Sequence, residues 1–234
     1  MSSSDTRSDR RAATLIGVLF IVGTVAGALS LVVTDPLLRG PDYLARIAAN
    51  PGQMIVGVLL LMTMGFALAL VPVLFWPIGR RHSEPLAMGY IVFRGALETV
   101  TYVAGAFGWL LLVKLSTQTE AAGTTAGNVR VAETILWDQV IAIPFVLGAL
   151  MFYGLLYQAR LVPRWISAWG LVGGVLYVGA PLAAMSNLDL GFLMAPLAVQ
   201  EMVMALWLIA RGFNASVPEA SRRAGKMAAQ AIGA

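Results

Sequence analysis

The sequence of 234 residues contains no cysteine, a single histidine, His82, and only 12% charged residues. Without cysteine, disulfides, thiolate metal sites and cysteine nucleophiles are excluded. His82 stands next to Arg81 in a polar stretch, so we expect neither a histidine zinc site nor a Ser-His-Asp triad in the apolar part of the chain. Glycine-rich nucleotide motifs and a G-x-S-x-G motif in a usable context are also absent, and no cofactor is expected.

Apolar residues make up 59% of the chain, and the mean hydropathy is +0.79. The charged fraction is about half of the 25% that is typical of globular domains. Apolar blocks joined by short polar segments predict an all-α, polytopic membrane protein that forms one bundle. The net charge of +4 is spread over loops and tails without a long Lys/Arg run. The expected partner is therefore the lipid bilayer and not nucleic acid.

Six apolar runs are long enough to cross a bilayer, which takes about 20 helical residues. They are 12–33, 53–78, 86–113, 131–157, 165–185 and 190–210. The predicted domains are a polar amino tail at 1–11, a six-helix transmembrane domain at 12–210 and a basic carboxyl tail at 211–234. Turn residues around 43–49 predict a short interfacial helix there, and the Thr- and Gly-rich stretch 116–129 predicts an exposed, mobile loop.

Six spans place both ends of the chain on the same side of the membrane. The tails and loops of that side carry eleven Lys and Arg residues, against four in the loops of the other side. Cytoplasmic loops are enriched in Lys and Arg, and aromatic residues gather at both interfaces, as they do at the ends of these spans. The Lys and Arg count predicts cytoplasmic termini, and the positions of the aromatic residues agree with the predicted span ends.

The third span contains two charges, Arg94 and Glu98, in a stretch, 86–113, that has no others. Residues four apart share one face of a helix. A charge at the bilayer centre costs about 2.5–3.5 kcal/mol on insertion scales, so such residues face a bundle interior and mark a functional site by default. The other polar residues that enter the predicted binding or proton pocket are Asp138, Gln139, Gln200 and Glu201.

The charges of this pocket do not balance. A rise of 1.5 Å per residue places Glu98 and Glu201 near the bilayer midplane, with Asp138 closer to the outer surface. One cation, Arg94, faces three carboxylates, which leaves two excess negative charges. Burial penalises that excess unless protons, a bound cation or water relieve it. We therefore expect at least one of these carboxyl groups to be protonated near neutral pH.

Two G-x-x-x-G pairs lie in the first and fifth spans, at Gly23 with Gly27 and at Gly170 with Gly174. Small residues with this spacing let two membrane helices approach closely. The pairs can serve packing within one chain, a homo-oligomer or a membrane-protein partner.

Four groups of motifs point to a family. They are Asp35-Pro36 with Pro41-Asp42-Tyr43-Leu44; Gly89-Tyr90-x-x-Phe93-Arg94-x-x-x-Glu98; Leu161-Val162-Pro163-Arg164-Trp165-Ile166; and Glu201 with Leu206-Trp207-Leu208-Ile209 and Gly212-Phe213. With these motifs the chain resembles the bacterial six-helix membrane family named domain of unknown function four-three-eight-six. The resemblance implies a six-helix bundle in a bacterial inner membrane, but no activity and no site residue. The family often has a His or His-Asp pair where this chain has Trp137-Asp138, so the resemblance does not support a histidine-dependent role.

Three classes of function are compatible with these features. The favoured hypothesis is a bundle whose buried charged pocket binds a small molecule, a cation or a proton, as transporters do. The alternative is a noncatalytic scaffold or partner subunit that docks through its glycine faces and basic tail, with the charges as structural pairs only. An intramembrane enzyme is the least favoured. A watery cavity that reaches Glu98 favours the first hypothesis, and a closed core with an exposed small-residue face favours the second.

Overall fold

The computed structural model describes residues 3–118, 122–186, 188 and 190–214, and within these the regular structure is entirely helical. The α-helices are α1 (Ser3–Leu38), α2 (Tyr43–Ala49), α3 (Pro51–Gly79), α4 (Glu84–Tyr90), α5 (Glu98–Leu115), α6 (Ala122–Ile135), α7 (Ala142–Ala159), α8 (Arg164–Ala184) and α9 (Ala195–Ala210). A π-helical segment, Ile91–Leu97, joins α4 to α5, and a second, Leu136–Val140, follows α6. A 3₁₀ turn, Gly191–Met194, leads into α9.

These elements combine into six helical runs that are long and apolar enough to span a membrane. The runs are Arg7–Leu38, Pro51–Gly79, Glu84–Leu115, Gly123–Ala159, Arg164–Ala184 and Gly191–Ala210. The predicted all-α bundle with six spans is confirmed. The short helix expected between the first two spans is confirmed as α2. The division into tails and a central domain stays a prediction, and most of the carboxyl tail lies outside the described residues.

The amino-terminal segment differs from the unpacked polar tail that its composition suggests. Helix α1 begins at Ser3 and passes through Pro36 before it ends at Leu38. The Arg10 guanidinium donates hydrogen bonds to the carbonyls of Ile209 (2.9 Å) and Ala210 (3.0 Å). These carbonyls end a helix and have no partner within it, so a cation that reaches them stabilises that end.

The expected mobile loop at 116–129 is wrong for the part of it that the structure describes as helix. Helix α6 begins at Ala122, and residues 119–121 lie outside the described range. Ala126 is fully buried and belongs to an apolar cluster that also contains Ile47 of α2 and Leu112 of α5. In a helix, Gly and Thr cost at most about 1 kcal/mol per residue relative to Ala. The burial of Ala126 in this cluster outweighs that cost.

The core consists of two apolar clusters. One contains Tyr90 and the aromatic rings of α3 and α7, and the other contains Tyr102 and residues of α2, α3, α5 and α6. Because Arg94 and Glu98 lie between Tyr90 and Tyr102 along the third span, the charges stand where the two clusters meet.

The glycine pairs lie at helix contacts inside this chain. A Cβ at Gly23 would lie 2.8 Å from Leu68 of α3, and one at Gly27 would overlap Met64 of the same helix. A Cβ at Gly170 would lie 2.6 Å from the Tyr153 ring of α7, whereas Gly174 has only an ordinary contact with Leu150 at 3.4 Å. All four glycines are buried. The faces proposed for docking a partner are thus occupied by helices of the same chain.

We expect Gly17→Ala to destabilise the bundle. A Cβ at Gly17 would lie 2.6 Å from the carbonyl oxygen of Ala205, and this backbone atom of α9 cannot rotate away. Moving α1 away from α9 should cost about 1–3 kcal/mol. The matched control is Gly52→Ala in the first turn of α3, where no atom of the described structure lies within 4 Å of the new Cβ. It should be neutral or stabilise by up to about 1 kcal/mol. Thermal melting in detergent tests both, and equal melting temperatures would contradict the prediction.

Candidate functional site

Arg94 lies in the first π-helical segment, and Glu98 follows directly after it. The backbone N–H of Glu98 donates to the carbonyl of Phe93, five residues back, instead of to Arg94. Such single π turns within helices are frequent at functional sites. Helix α7 approaches this turn closely, because a Cβ at Gly148 would lie 3.1 Å from the backbone nitrogen of Arg94.

Arg94, Glu98, Tyr102 and Glu201 form one polar group, which we call the Arg94 cluster. The Arg94 Nη1 to Glu98 Oε2 distance is 3.1 Å, and Arg94 Nη2 donates a long hydrogen bond of 3.4 Å to Glu201 Oε1. The Tyr102 hydroxyl donates to Glu98 Oε1 at 2.6 Å. Arg94 thus contacts both Glu98 and Glu201, and α5 and α9 are joined through one guanidinium.

Aromatic rings complete the surroundings of the guanidinium. Its Cζ lies 4.7 Å from the ring centroid of Phe145 on α7 and 6.0 Å from that of Phe20 on α1. A cation above an aromatic face gains about 2 kcal/mol when the pair is desolvated. The rings therefore compensate part of the hydration that Arg94 loses, and they bring α1 and α7 to the same site.

The Arg94 cluster is closed except at one carboxylate. The side chains of Arg94 and Glu98 are 2% and 0% exposed, and that of Glu201 is 12% exposed. Several buried atoms have no hydrogen-bond partner within the described structure, including Arg94 Nε, Glu98 Oε2 and Gln200 Oε1. Buried polar atoms are nearly always bonded, so atoms such as these call for a physical explanation.

The predicted pocket residues divide between two places. Gln200, next to Glu201, is fully buried, and its Nε2 donates to the Ile166 carbonyl at 2.9 Å. Asp138, counted among the buried charges on the sequence, is exposed and lies on the wall of a separate open cavity. Gln139 is partly exposed on the same segment. Neither Asp138 nor Gln139 forms a hydrogen bond or ion pair with the Arg94 cluster within the described structure.

Glu133 and Tyr102 are polar residues of the interior that lie outside the predicted set. Glu133 is 3% exposed, accepts from Arg130 at 2.8 Å through Oε2, and packs against Gly108. Arg130 and Glu133 are three residues apart, a spacing that favours ion pairs on a helix. The sequence predicts a loop at 116–129, just before them, so it did not suggest that they share a helix. Tyr102 stands four residues after Glu98, and this spacing could have identified it as the partner of that carboxylate.

A comparison with protein families places this arrangement in context. The model of the family described as Domain of unknown function (DUF4386) matches residues 15–212. The chain belongs to this family. The matched range contains the whole Arg94 cluster, and the description of DUF4386 states no activity. No curated protein and no solved structure matches the chain.

Proposed function

We propose that this DUF4386 protein binds and releases one proton at the Arg94 cluster. The observation that supports the proposal is the charge balance: one guanidinium faces the two carboxylates of Glu98 and Glu201, with Glu98 fully buried. If all three groups are ionised, one negative charge remains uncompensated in a low-dielectric interior. Such a charge is expensive unless a partner or a proton neutralises it.

A proton suits the geometry better than a metal cation does. Hard cations take six or more oxygen ligands. Glu98 Oε1 already accepts from Tyr102, and Oε2 faces Arg94 Nη1 at 3.1 Å, so a second cation would meet the guanidinium charge at short range. A proton shared between two carboxyl groups needs no additional ligands.

A proton can enter or leave the Arg94 cluster through Glu201. Of the two carboxylates, Glu98 and Glu201, only Glu201 has an exposed surface. Proton relays that use acidic residues within spans are a common element of transporters and pumps. The proposed function is therefore proton binding by a membrane bundle, of the kind that can couple to movement of a small molecule or ion.

Infrared difference spectra test the proton directly. We expect purified protein to show a protonated carboxyl band at neutral pH, and we expect Glu98→Gln or Glu201→Gln to remove it because either change leaves one carboxylate for one guanidinium. Glu84→Gln is the control, since Glu84 is exposed in the first turn of α4. A wild-type spectrum without a protonated band between pH 5 and 9 would refute the proposal.

The proposal includes a location and an orientation: the plasma membrane of a bacterium, with cytoplasmic termini. The eleven-to-four distribution of Lys and Arg supports this orientation. The chain has no native thiol, so single cysteines report sidedness without background. In intact cells, an impermeant maleimide should label Thr124→Cys and spare Glu84→Cys, both at exposed positions. The reverse labelling pattern would place the termini outside.

A further inference from the structure

An open cavity of about 400 Å³ lies apart from the Arg94 cluster, where the fifth span ends and the sixth begins. The described residues that form it belong to the π-helical segment Leu136–Val140, the last turns of α8, the connection after α8 and the 3₁₀ turn before α9. Its volume is within the range of small-molecule sites, which are concave, mostly apolar and equipped with a few polar groups.

Asp138 is the one charged residue among the described residues that line this cavity. The rest of the lining is uncharged and includes Pro181, Leu190 and Met194. Within the described structure, no ion pair or hydrogen bond occupies the Asp138 carboxyl group. One carboxylate therefore lies beside a lining of uncharged side chains, with no cation paired to it within the described structure.

We infer that this cavity binds an organic ammonium ion with an apolar body, its N–H groups directed at the Asp138 carboxylate. A neutral apolar guest would cover the carboxylate without a bonding partner, which is costly. A phosphate or carboxylate guest would meet a like charge. Among the described lining residues a bare metal ion would find a single carboxylate side chain, whereas hard cations take six or more oxygen ligands.

The lining also indicates which ammonium ions fit. Quaternary ammonium groups are usually recognised by aromatic cages, and no aromatic residue is among the described residues of the lining. An ammonium that keeps its N–H groups can form charge-assisted hydrogen bonds to a carboxylate, and these are about twice as strong as neutral ones. Met194 offers a flexible, polarisable surface for an apolar body of variable shape. The cavity should therefore prefer primary amines to their trimethylated analogues.

Calorimetric titration of the full-length protein in nanodiscs tests the site, with empty nanodiscs measured in parallel to subtract partitioning into lipid. The probes are phenylbutylamine, its neutral isostere phenylbutanol, and phenylbutyl-trimethylammonium. We expect saturable binding of the amine and at least tenfold weaker binding of the other two. Heat that matches empty nanodiscs, or equal affinity for the amine and the alcohol, would overturn the inference.

Three variants distinguish the contribution of the Asp138 charge to amine binding from that of the cavity itself. Asp138→Asn should weaken amine binding at least tenfold, and Ala184→Phe, which fills the cavity while the carboxylate stays, should do the same. Asp42→Asn is the matched control, because it removes an exposed aspartate that makes no side-chain cap hydrogen bond. Undiminished binding in Ala184→Phe would overturn the inference even if Asp138→Asn failed to fold.

Discussion

Arg94→Leu is expected to destabilise the protein by about 3–5 kcal/mol, because breaking a buried ion pair leaves an uncompensated charge. In this structure the guanidinium serves two carboxylates, at 3.1 Å and 3.4 Å, with Arg94 and Glu98 almost inaccessible. Because one of the two carboxyl groups holds the proposed proton, the variant must either keep one unpaired buried negative charge or take up a second proton. Thermal unfolding in nanodiscs, followed by circular dichroism, measures the loss.

The decisive comparison removes all three charges together. Arg94→Leu combined with Glu98→Gln and Glu201→Gln should recover most of the lost stability, because no unpaired charge remains. The pair of glutamine changes alone should also be costly, since it strands the guanidinium. Groups that interact give non-additive effects, whereas independent sites add to within about 0.5 kcal/mol. If the three changes simply add, the ion pairs are not coupled and the proposed proton site loses its basis.

Phe152→Ala is expected to have the second large effect, again about 3–5 kcal/mol. Phe152 is 1% exposed, stacks on Tyr90 with ring centroids 4.5 Å apart, and meets Phe75 edge-on at 4.9 Å. Removal of the ring leaves a void that neighbours held by their own packing cannot fill.

Phe107→Ala is the matched control for this prediction. Phe107 is also in a predicted span, on α5, but it is 66% exposed on the outer surface of the bundle. Surface changes usually stay within about 0.5 kcal/mol. Similar losses in melting temperature for the two variants would contradict the assignment of Phe152 to the core.

Phe107 and Phe152 illustrate why the burial of a side chain within a span could not be predicted from the sequence. In a soluble helix, apolar residues recur on one face and polar residues cover the other. In a span, the lipid-facing residues are apolar as well, so Phe107 and Phe152 stand in similar surroundings along the sequence. Helix rotation decides between them, and packing between neighbouring helices sets that rotation.

The charged residues show which contacts sequence spacing can predict and which it cannot. Arg94 and Glu98 could be paired from their spacing, since a helix brings residues four apart onto one face. Glu201 is 107 positions from Arg94, and similar depth in the membrane only made it a candidate; the contact depends on how α9 packs. Asp138 was grouped with them because it is a charged residue within a predicted span, although it opens to a different cavity.

The sequence by itself determined six spans and a buried cation, because a long apolar run in lipid must satisfy its backbone hydrogen bonds within a helix and must not expose a lone charge. Tertiary structure alone decided three things: that the glycine pairs pack within the chain, that α6 replaces part of an expected loop, and that π turns carry Arg94 and Asp138. Each of these depends on contacts between segments distant in the chain. Local propensity and hydropathy contain no information about such contacts.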